Sequence, residues 1–442
     1  MKDHPVLYRR DWKRRAIPLV LHGDGVPLTG IGKSWSKFVD VFSVSSLLGR
    51  GSTRMRMFLI FSFFTSLSAT ADGITSSDRL FQRLVWSLLW AWRGRHPTVD
   101  DRNIEYTDPL SEATRKAGKY LCGNFFFVLW IIQGDLDHLR TVYGLPNANS
   151  LTPCSWCPAN SGSLPWDDFR DTAECFRHTW TKQRWQLWIG DRKHAIFILP
   201  GVSILTVGVD LMHIKHLGTD KYMYGSVLYL LCFHVLSSSP LENLKVVASD
   251  IRQYYNLHRT QVRYRYMNRL SMFMRKSGCP CLRGKAAEVK HLGKALEASW
   301  RKHMRHDREI HQQIALMLKT NNQVETVLDR HKGSYKVPEP DASVLRASAH
   351  SAMQLQQNLR ETFQDDEQPL FTVTSKAHML VHCAINAAFL HPHLSWCYRG
   401  EDFMRVWQRL GKNSVRGRSA IQAMGTMAQH FSIGTALDWK SA

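Results

Sequence analysis

The stretch Asn124–Asp137, NFFFVLWIIQGDLD, decides the fold, because its eight apolar residues from Phe125 to Ile132 are followed within three residues by the carboxylate of Asp135. The run is shorter than the ~20 residues of a membrane helix and is rich in aromatic and β-branched side chains. It therefore predicts a strand that is buried on both faces, as in the centre of an α/β sheet. Such sheets carry their chemistry at the carboxyl ends of the strands, where Asp135 lies. The alternative is that Asp135 only caps a helix beginning at Leu136.

A second carboxylate follows another apolar stretch, Ile17–Leu21, in the sequence HGDG that contains Asp24. Phe38–Leu48 and Met55–Phe64 predict two more strands with short connections, as in an antiparallel meander. Apolar residues at helical spacing over Ser76–Arg93 predict a helix before the buried strand. The first 143 residues thus predict the order β-β-β-α-β-α, with acids at the ends of the first and fourth strands.

The composition favours a polyanionic partner. The 442 residues include 58 Lys and Arg against 37 Asp and Glu, a formal net charge of +21, and nucleic acid is the usual partner of such a surplus. A basic protein without a nucleic-acid partner is the alternative. The N-terminus lacks the apolar segment of a signal peptide, and no apolar stretch is long enough to span a membrane. We therefore expect a soluble protein in a reducing compartment, with its nine cysteines buried or bound to metal.

Two ligand pairs follow the buried strand. Cys154 and Cys157 form a C-x2-C pair, and Cys175 and His178 form a C-x2-H pair. These spacings predict a tetrahedral Cys3His zinc site, which would be structural. The alternative is that Cys175 and His178 pack in a tryptophan-rich core and only the first pair has a role.

Two further pairs lie later in the chain. Asp210 and His213 follow the predicted strand Ser203–Val209 and stand one helical turn apart, so they could touch each other or a shared group. His378 and His382 have the i, i+4 spacing of zinc ligands, but the Glu of an HExxH motif is missing. We interpret them as a buried or surface histidine pair and not as metal ligands.

Helical periodicity dominates from about Lys221 to Phe371. Within it, Arg259–Arg305 holds 13 Lys and Arg against two Glu, with aromatic residues between them. Basic and aromatic residues on helices suit contact with a phosphate backbone, although a solvated charged face has the same composition. The residues that we predict to contact DNA are Arg263, Arg265, Arg269, Arg275 and Lys276.

The order of these motifs, HGDG, IIQGDLDHLRTVYGL, PCSWC, DLMH and WCYRGED, resembles eukaryotic cut-and-paste DDE/D transposases, nearest to the CACTA and Plavaka-like group. The resemblance covers nearly the whole chain and implies an α/β protein with a ribonuclease-H-like mixed sheet flanked by helices. It also implies a small zinc-knuckle-like insertion and a large all-α insertion. The expected segments are core at 1–144, Cys/His insertion at 145–195, core with the DxxH motif at 196–220, helical insertion at 221–371 and C-terminal core at 372–442.

The resemblance implies that Asp24, Asp135 and Glu401 hold two Mg²⁺ or Mn²⁺ ions, with Asp402 as the fallback for the third acid. Two such ions, roughly 3.5–4 Å apart, can activate a water or a 3′-hydroxyl for in-line attack on a phosphodiester. Asp210 and His213 would then orient the site from outside the ligands.

We therefore expect a nuclear, transposase-derived DNA nuclease or strand transferase, truncated or domesticated because the catalytic fold begins almost at Met1. The expected partner is DNA, with no membrane and with a homodimer as the candidate assembly. The first alternative is a catalytically inactive domesticated transposase that acts as a DNA-binding or chromatin protein. The second is a zinc-stabilised basic protein that binds RNA. Convergence of the three carboxylates would favour the catalytic hypothesis.

Overall fold

The computed structural model describes residues 4–28, 36–190, 194–275 and 278–440. They fall into two compact units, each built from separate parts of the chain. Unit 1 comprises Met1–Leu145, Trp180–Gly208 and Cys397–Ala442. Unit 2 comprises Pro146–Thr179 and Val209–Trp396. Among the described residues, no helix is both long and apolar enough to cross a membrane.

The strands all belong to unit 1: β1 (Ala16–Pro27), β2 (Phe38–Ser46), β3 (Phe58–Phe64), β4 (Thr70–Ala71), β5 (Ile74–Thr75) and β6 (Phe126–Gln133). Four of them form a sheet in the order β3-β2-β1-β6, in which β1 is antiparallel to β2 and parallel to β6. β2 and β3 are also antiparallel, and β4 and β5 form a separate hairpin. The predicted α/β class with a mixed sheet is confirmed.

The strand predicted over Ser203–Val209 is not formed as a strand. Ile204–Thr206 is a 3-10 turn, because the side chain of Ser203 accepts the amide of Leu205 and so caps it. Only Val207 extends the sheet, through a single parallel bridge to Ile132 on the other edge of β6.

Helices make up most of the remaining chain. In the first half these are α1 (Trp12–Arg15), α2 (Thr53–Arg56), α3 (Ser76–Arg93), α4 (Glu112–Lys116), α5 (Leu136–Tyr143), α6 (Glu174–Arg177) and α7 (Lys182–Ile189). In the second half they are α8 (Asp220–Leu230), α9 (Pro240–Leu257), α10 (Ala286–His303), α11 (Glu309–Arg330), α12 (Asp341–Thr362), α13 (Ser375–Asn386), α14 (Tyr398–Val415) and α15 (Ala420–Lys440). Met212–Thr219 and Leu231–Val235, on either side of α8, are wider π-helical turns.

Helices cover both faces of the sheet in unit 1. On one face, the ring of Phe42 in β2 contacts Phe81 of α3 and His138 of α5, with centroids 5.1 and 5.3 Å apart. On the other face, Val41 of β2 belongs to a hydrophobic cluster with Trp407 of α14, and α15 joins the same cluster. Successive side chains along a strand point to opposite faces of the sheet. Residues of β1 and β2 therefore contact α3 and α5 on one face or α14 and α15 on the other, in alternation.

Unit 2 is helical, as the periodicity predicts, but its basic segment is not. Between α9 and α10, the described residues 258–275 and 278–285 are irregular apart from a 3-10 turn at Leu270–Met272. The backbone of Arg259 is left-handed, with φ of +50°, and Tyr264 is buried. A left-handed residue cannot continue a helix, so α9 ends here and the expected basic helix begins only at Ala286.

Candidate metal centres

Four buried side chains of unit 2 converge on one point: Cys154, Cys157, His378 and His382. One ligand atom from each lies within 4.8 Å of the ligand atoms of the other three. The two cysteines come from the irregular segment that follows α5, and the two histidines lie one turn apart on α13. Soft sulfur and imidazole ligands in a closed tetrad are the donor set that zinc prefers.

The contacts around the histidines aim their Nε2 atoms at this point. His378 donates from Nδ1 to the backbone oxygen of Trp166 at 2.8 Å, which leaves its Nε2 for a ligand role. That Nε2 lies 3.0 Å from Nε2 of His382 and 3.2 Å from Sγ of Cys157. Zn–N bonds of about 2.0–2.1 Å in a tetrahedron place two nitrogens about 3.3 Å apart, so a zinc ion fits with shifts of a few tenths of an ångström.

The electrostatics of the tetrad favour a thiolate. Burial alone would raise the pKa of Cys154, but the hydrogen bond from Cys157 and the nearby His382 and His378 bring it well below its ordinary value. Burial also opposes the charged form of His378, yet the neighbouring Cys154 raises its pKa to about 9. A thiolate is the form of cysteine that binds metal.

The second predicted ligand pair lies outside this tetrad. Cys175 is buried and its Sγ is 4.0 Å from the backbone oxygen of Asp168, while His178 is exposed. Between them, Phe176 stacks on the ring of His378 at a centroid distance of 4.7 Å. The C-x2-H pair therefore packs beside the candidate metal centre, and the i, i+4 histidines supply the remaining two ligands.

The first two predicted catalytic acids, both in unit 1, follow the same edge of the sheet. The parallel pairing of β1 with β6 ends at His22 and Gln133, and Asp24 and Asp135 each lie two residues further on. Asp24 stands opposite Val41 on β2 and so points to the face that α14 covers. β1 continues beyond it to Pro27, so Asp24 lies within a longer strand than the apolar stretch predicts.

Asp135 is the N-cap of α5, and its Oδ1 accepts the amide of His138 at 2.6 Å. Capping and metal binding are compatible, because a carboxylate offers two oxygens with about four lone-pair directions. Both roles proposed for this residue can therefore hold at once.

Glu401 lies in the first turn of α14, which begins at Tyr398. The preceding residue, Gly400, lies against the ring of His22 in β1, so this end of α14 packs on the strand that carries Asp24. Glu401 is half-buried, whereas Asp402 is exposed and pairs with Arg405 at 3.2 Å. The partial burial of Glu401 favours this residue over Asp402 as the third acid.

The oxygens of Asp24, Asp135 and Glu401 do not all lie within 4.8 Å of one another, unlike the ligand atoms of the tetrad. A pair of ions roughly 3.5–4 Å apart needs ligand oxygens spread over a wider region than a single ion does.

Asp40 of β2 is an acid that the sequence reasoning missed. It pairs with Gly25, the residue after Asp24, and Thr65 donates to its Oδ2 at 3.5 Å. Burial raises the pKa of Asp40, with Thr65 acting in the opposite sense. Its position within an apolar strand pattern carries no signal of this proximity, which depends on strand register.

Asp210 and His213 do touch each other, as their spacing predicts. Nδ1 of His213 lies 2.5 Å from Oδ2 of Asp210, whose Oδ1 accepts the amide of Met212 at 3.0 Å. Both residues belong to unit 2, where Asp210 is buried and His213 is partly exposed.

A second buried group in unit 2, formed by His216, Asp220 and Glu325, also has metal-ligand composition. In this group the ammonium of Lys215 balances the charge of the two carboxylates. Its Nζ lies 2.9 Å from Asp220 and 3.2 Å from Glu325. Burial alone would lower the pKa of Lys215, but these two carboxylates raise it above its ordinary value. His216 completes the cluster by contacting Glu325 at 2.8 Å.

The predicted DNA-contacting residues divide by environment. Arg263 is held inside unit 2, with its guanidinium donating to the backbone oxygens of Thr260 and Tyr255. The remaining described members of the set, Arg265, Arg269 and Arg275, are exposed, and Lys276 lies outside the described residues.

The chain matches no model of a known protein family, and a search of curated proteins finds none that matches it.

Proposed function

We propose that unit 1 is a ribonuclease-H-like catalytic domain of a transposase-derived DNA nuclease or strand transferase. The observation that carries the proposal is the placement of the acids. The neighbouring strands β1 and β6 are parallel, and Asp24 and Asp135 each lie two residues beyond their last paired residues. The helix that carries Glu401, α14, packs on β1.

The sheet topology supports this proposal. The sheet order β3-β2-β1-β6, with three antiparallel strands and a parallel fourth, is compatible with the β-β-β-α-β order that the resemblance implies. The bridge between Ile132 and Val207 lies where a fifth strand would extend the sheet. Helices on both faces of the sheet complete the arrangement.

In this proposal Asp24, Asp135 and Glu401 provide hard oxygen ligands, which Mg²⁺ and Mn²⁺ prefer. When bound, the ions would activate a water or a 3′-hydroxyl and stabilise the leaving oxygen of a phosphodiester. Two neighbouring parallel strands carry two of the carboxylates, with Asp24 inside β1 and Asp135 two residues after β6. The first turn of α14 brings the third from far along the chain.

We further propose that Cys154, Cys157, His378 and His382 hold a structural zinc ion. All four residues are buried, so no open position remains for a reacting water, as is typical of structural sites. The ion would fasten the segment after α5 to α13 within unit 2 and so replace a larger apolar core there.

DNA is the proposed partner and the nucleus the proposed location. The net charge of +21 supplies long-range attraction, and the exposed Arg265, Arg269 and Arg275 offer phosphate contacts on an irregular segment that can follow a backbone.

A nicking assay tests the catalytic proposal. Supercoiled DNA is incubated with Mn²⁺ and with purified wild-type protein or the Asp135→Asn variant. We expect nicking by the wild type and a loss of nicking activity of more than about 100-fold in the variant. Loss of a residue that only orients metal ligands costs about 10–100-fold, and loss of a ligand itself should cost more. The matched control is Asp137→Asn, since Asp137 is exposed and pairs with Arg140 at 2.6 Å. Equal nicking by Asp135→Asn and the wild type would contradict the proposal.

A catalytically inactive DNA-binding or chromatin protein is the second candidate. It is favoured by the helix cap at Asp135, which gives this residue a structural role without any metal. This candidate predicts that the wild type and Asp135→Asn bind DNA equally and that neither nicks it.

A further inference from the structure

Each of the three proposed catalytic acids follows a glycine directly: Gly23 precedes Asp24, Gly134 precedes Asp135 and Gly400 precedes Glu401. At each of these glycines, a side chain would collide with the ring of a buried histidine. Two histidines, His22 and His138, account for all three contacts.

His138 contacts the first two glycines. A Cβ atom added to Gly134 would lie 2.9 Å from Cδ2 of His138, and one added to Gly23 would overlap with its Nε2. The imidazole thus lies against Gly23 within β1 and against Gly134 just after β6, on the face that α5 covers. The amide of the same residue also donates to Oδ1 of Asp135.

His22 acts on the opposite face. It lies in β1 one residue before Gly23, so its side chain and that of Asp24 point away from His138 and towards α14. A Cβ atom on Gly400 would overlap with Nε2 of His22, which is 1% exposed. The ring therefore sets how closely the first turn of α14 approaches β1.

We propose that His22 and His138 are positioning residues that fix the spacing of the three carboxylates. The inference rests on the proposed function of Asp24, Asp135 and Glu401 as ligands of divalent cations. Rigid aromatic rings packed against bare backbone leave little room for movement, and each contact lies one residue from a ligand. Ligand geometry of this kind has to be held within about 0.5 Å.

The expected consequence concerns metal affinity rather than folding alone. Without a ring, the glycine backbone can relax into the vacated space and carry the neighbouring carboxylate with it. Loss of residues that orient metal ligands typically costs about 10–100-fold in affinity. The matched control is His4, a buried histidine of unit 1 that packs in the same way on Gly201 and otherwise contacts Trp92 and Trp130.

The test measures Mn²⁺ affinity by electron paramagnetic resonance titration, using zinc-loaded protein so that the thiolates do not take up Mn²⁺. Thermal unfolding of each variant without Mn²⁺ identifies a temperature at which all are folded. We expect His22→Ala and His138→Ala to weaken Mn²⁺ binding by about 10-fold or more. We expect His4→Ala to lower the melting temperature without changing the affinity.

If His138→Ala does not fold, Gly134→Ala provides the second test, because it keeps the ring and displaces the backbone by the same contact. It should also weaken Mn²⁺ binding by about 10-fold or more. Wild-type affinity in the folded histidine and glycine variants, while Asp135→Asn no longer binds Mn²⁺, would overturn the positioning role alone. Equal affinity in Asp135→Asn and the wild type would overturn the carboxylate site, and the positioning role with it.

Discussion

Asp135 has one observed role and one proposed role. Its Oδ1 caps α5, and we propose that its position after the end of β6 also makes it a metal ligand. Asparagine caps helices about as well as aspartate but is a much poorer ligand for Mg²⁺ or Mn²⁺. Asp135→Asn therefore isolates the ligand function, whereas alanine would also remove the cap.

The buried Lys215 leads to a prediction about stability. Its ammonium is the cation shared by Asp220 and Glu325, and all three side chains are almost completely buried. Lys215→Met leaves two carboxylates without this partner, and we expect unit 2 to lose about 3–5 kcal/mol in free energy of unfolding. Urea denaturation measures the loss.

The control for this substitution is Lys245→Met. Lys245 is exposed and pairs with the exposed Glu242, so its loss should cost less than about 1 kcal/mol. Equal stability of the two variants would mean that the buried charges are satisfied without Lys215.

The sequence suggests the candidate acids but not the histidines near them. Asp24 and Asp135 stand out because a carboxylate shortly after an apolar stretch is a local signal. The role proposed for His22 and His138 depends on contacts with glycines that are remote in the chain, as between His22 and Gly400. Such pairs follow from strand register and helix packing, which composition and periodicity do not specify.

Among the elements of unit 2, the proposed zinc centre would join an irregular segment to α13. Elemental analysis of purified protein should find one zinc per chain in the wild type and none in His382→Ala, because a tetrahedral structural site needs all four ligands. His178→Ala should keep its zinc, since His178 is exposed and lies outside the tetrad. Zinc loss in His178→Ala with retention in His382→Ala would instead favour the ligand set predicted from sequence spacing.

The arginines of the irregular basic segment between α9 and α10 should differ in function, because some are exposed and Arg263 is bonded to the backbone. Arg265→Ala should weaken DNA binding and reduce the slope of log affinity against log salt by about one, as expected for a lost phosphate contact. Arg263→Ala should instead lower the melting temperature, because its guanidinium holds the backbone of Thr260 and Tyr255. Fluorescence anisotropy with a DNA duplex at several salt concentrations measures the affinity and its salt slope, and thermal unfolding measures the melting temperature. An unchanged salt slope in Arg265→Ala would contradict the predicted contact.

Long periodic elements agree best with the sequence. The helix predicted over Ser76–Arg93 is α3, and the buried strand is β6, which begins one residue after Phe125. The expected basic helix fails because local turns interrupt it, beginning at the left-handed Arg259. The last predicted strand is reduced to a bridge at Val207, because the hydroxyl of Ser203 caps a turn instead.

At the scale of the whole molecule, each unit is assembled from distant segments. From the sequence, we expect a Cys/His insertion at 145–195 and a return to the core at 196–220. The structure groups Pro146–Thr179 with the helices and Trp180–Gly208 with the sheet. The Cys/His segment belongs to unit 2 through contacts such as that of Cys157 with His378, which are 221 residues apart. No local pattern encodes such a contact. The i, i+4 spacing of His378 and His382 indicates a pair of ligands but not which cysteines lie beside them.

Buried histidines predict how stability depends on pH. Burial, followed by the charge of Lys182, lowers the pKa of His4 to about 4, and burial lowers that of His194 to about 4. Between pH 4 and 6.5 the unfolded chain therefore binds more protons than the folded one. Stability from these groups is complete above pH 6.5 and is lost as the pH falls, at up to about 1.4 kcal/mol per pH unit for each histidine.

Urea denaturation of unit 1, followed at pH 7, 6 and 5, measures this slope. His4→Asn should reduce it, because asparagine can still accept the amide of Val6 but does not titrate. An unchanged slope in this variant would show that His4 does not contribute.

Anomalous diffraction from crystals of the zinc-loaded protein soaked in MnCl2, collected at the manganese and zinc edges, tests the two metal centres most directly. We expect manganese between the carboxylates of Asp24, Asp135 and Glu401, and zinc within the tetrad of Cys154, Cys157, His378 and His382. Ordered manganese elsewhere, with none at the three acids, would contradict the proposed catalytic site.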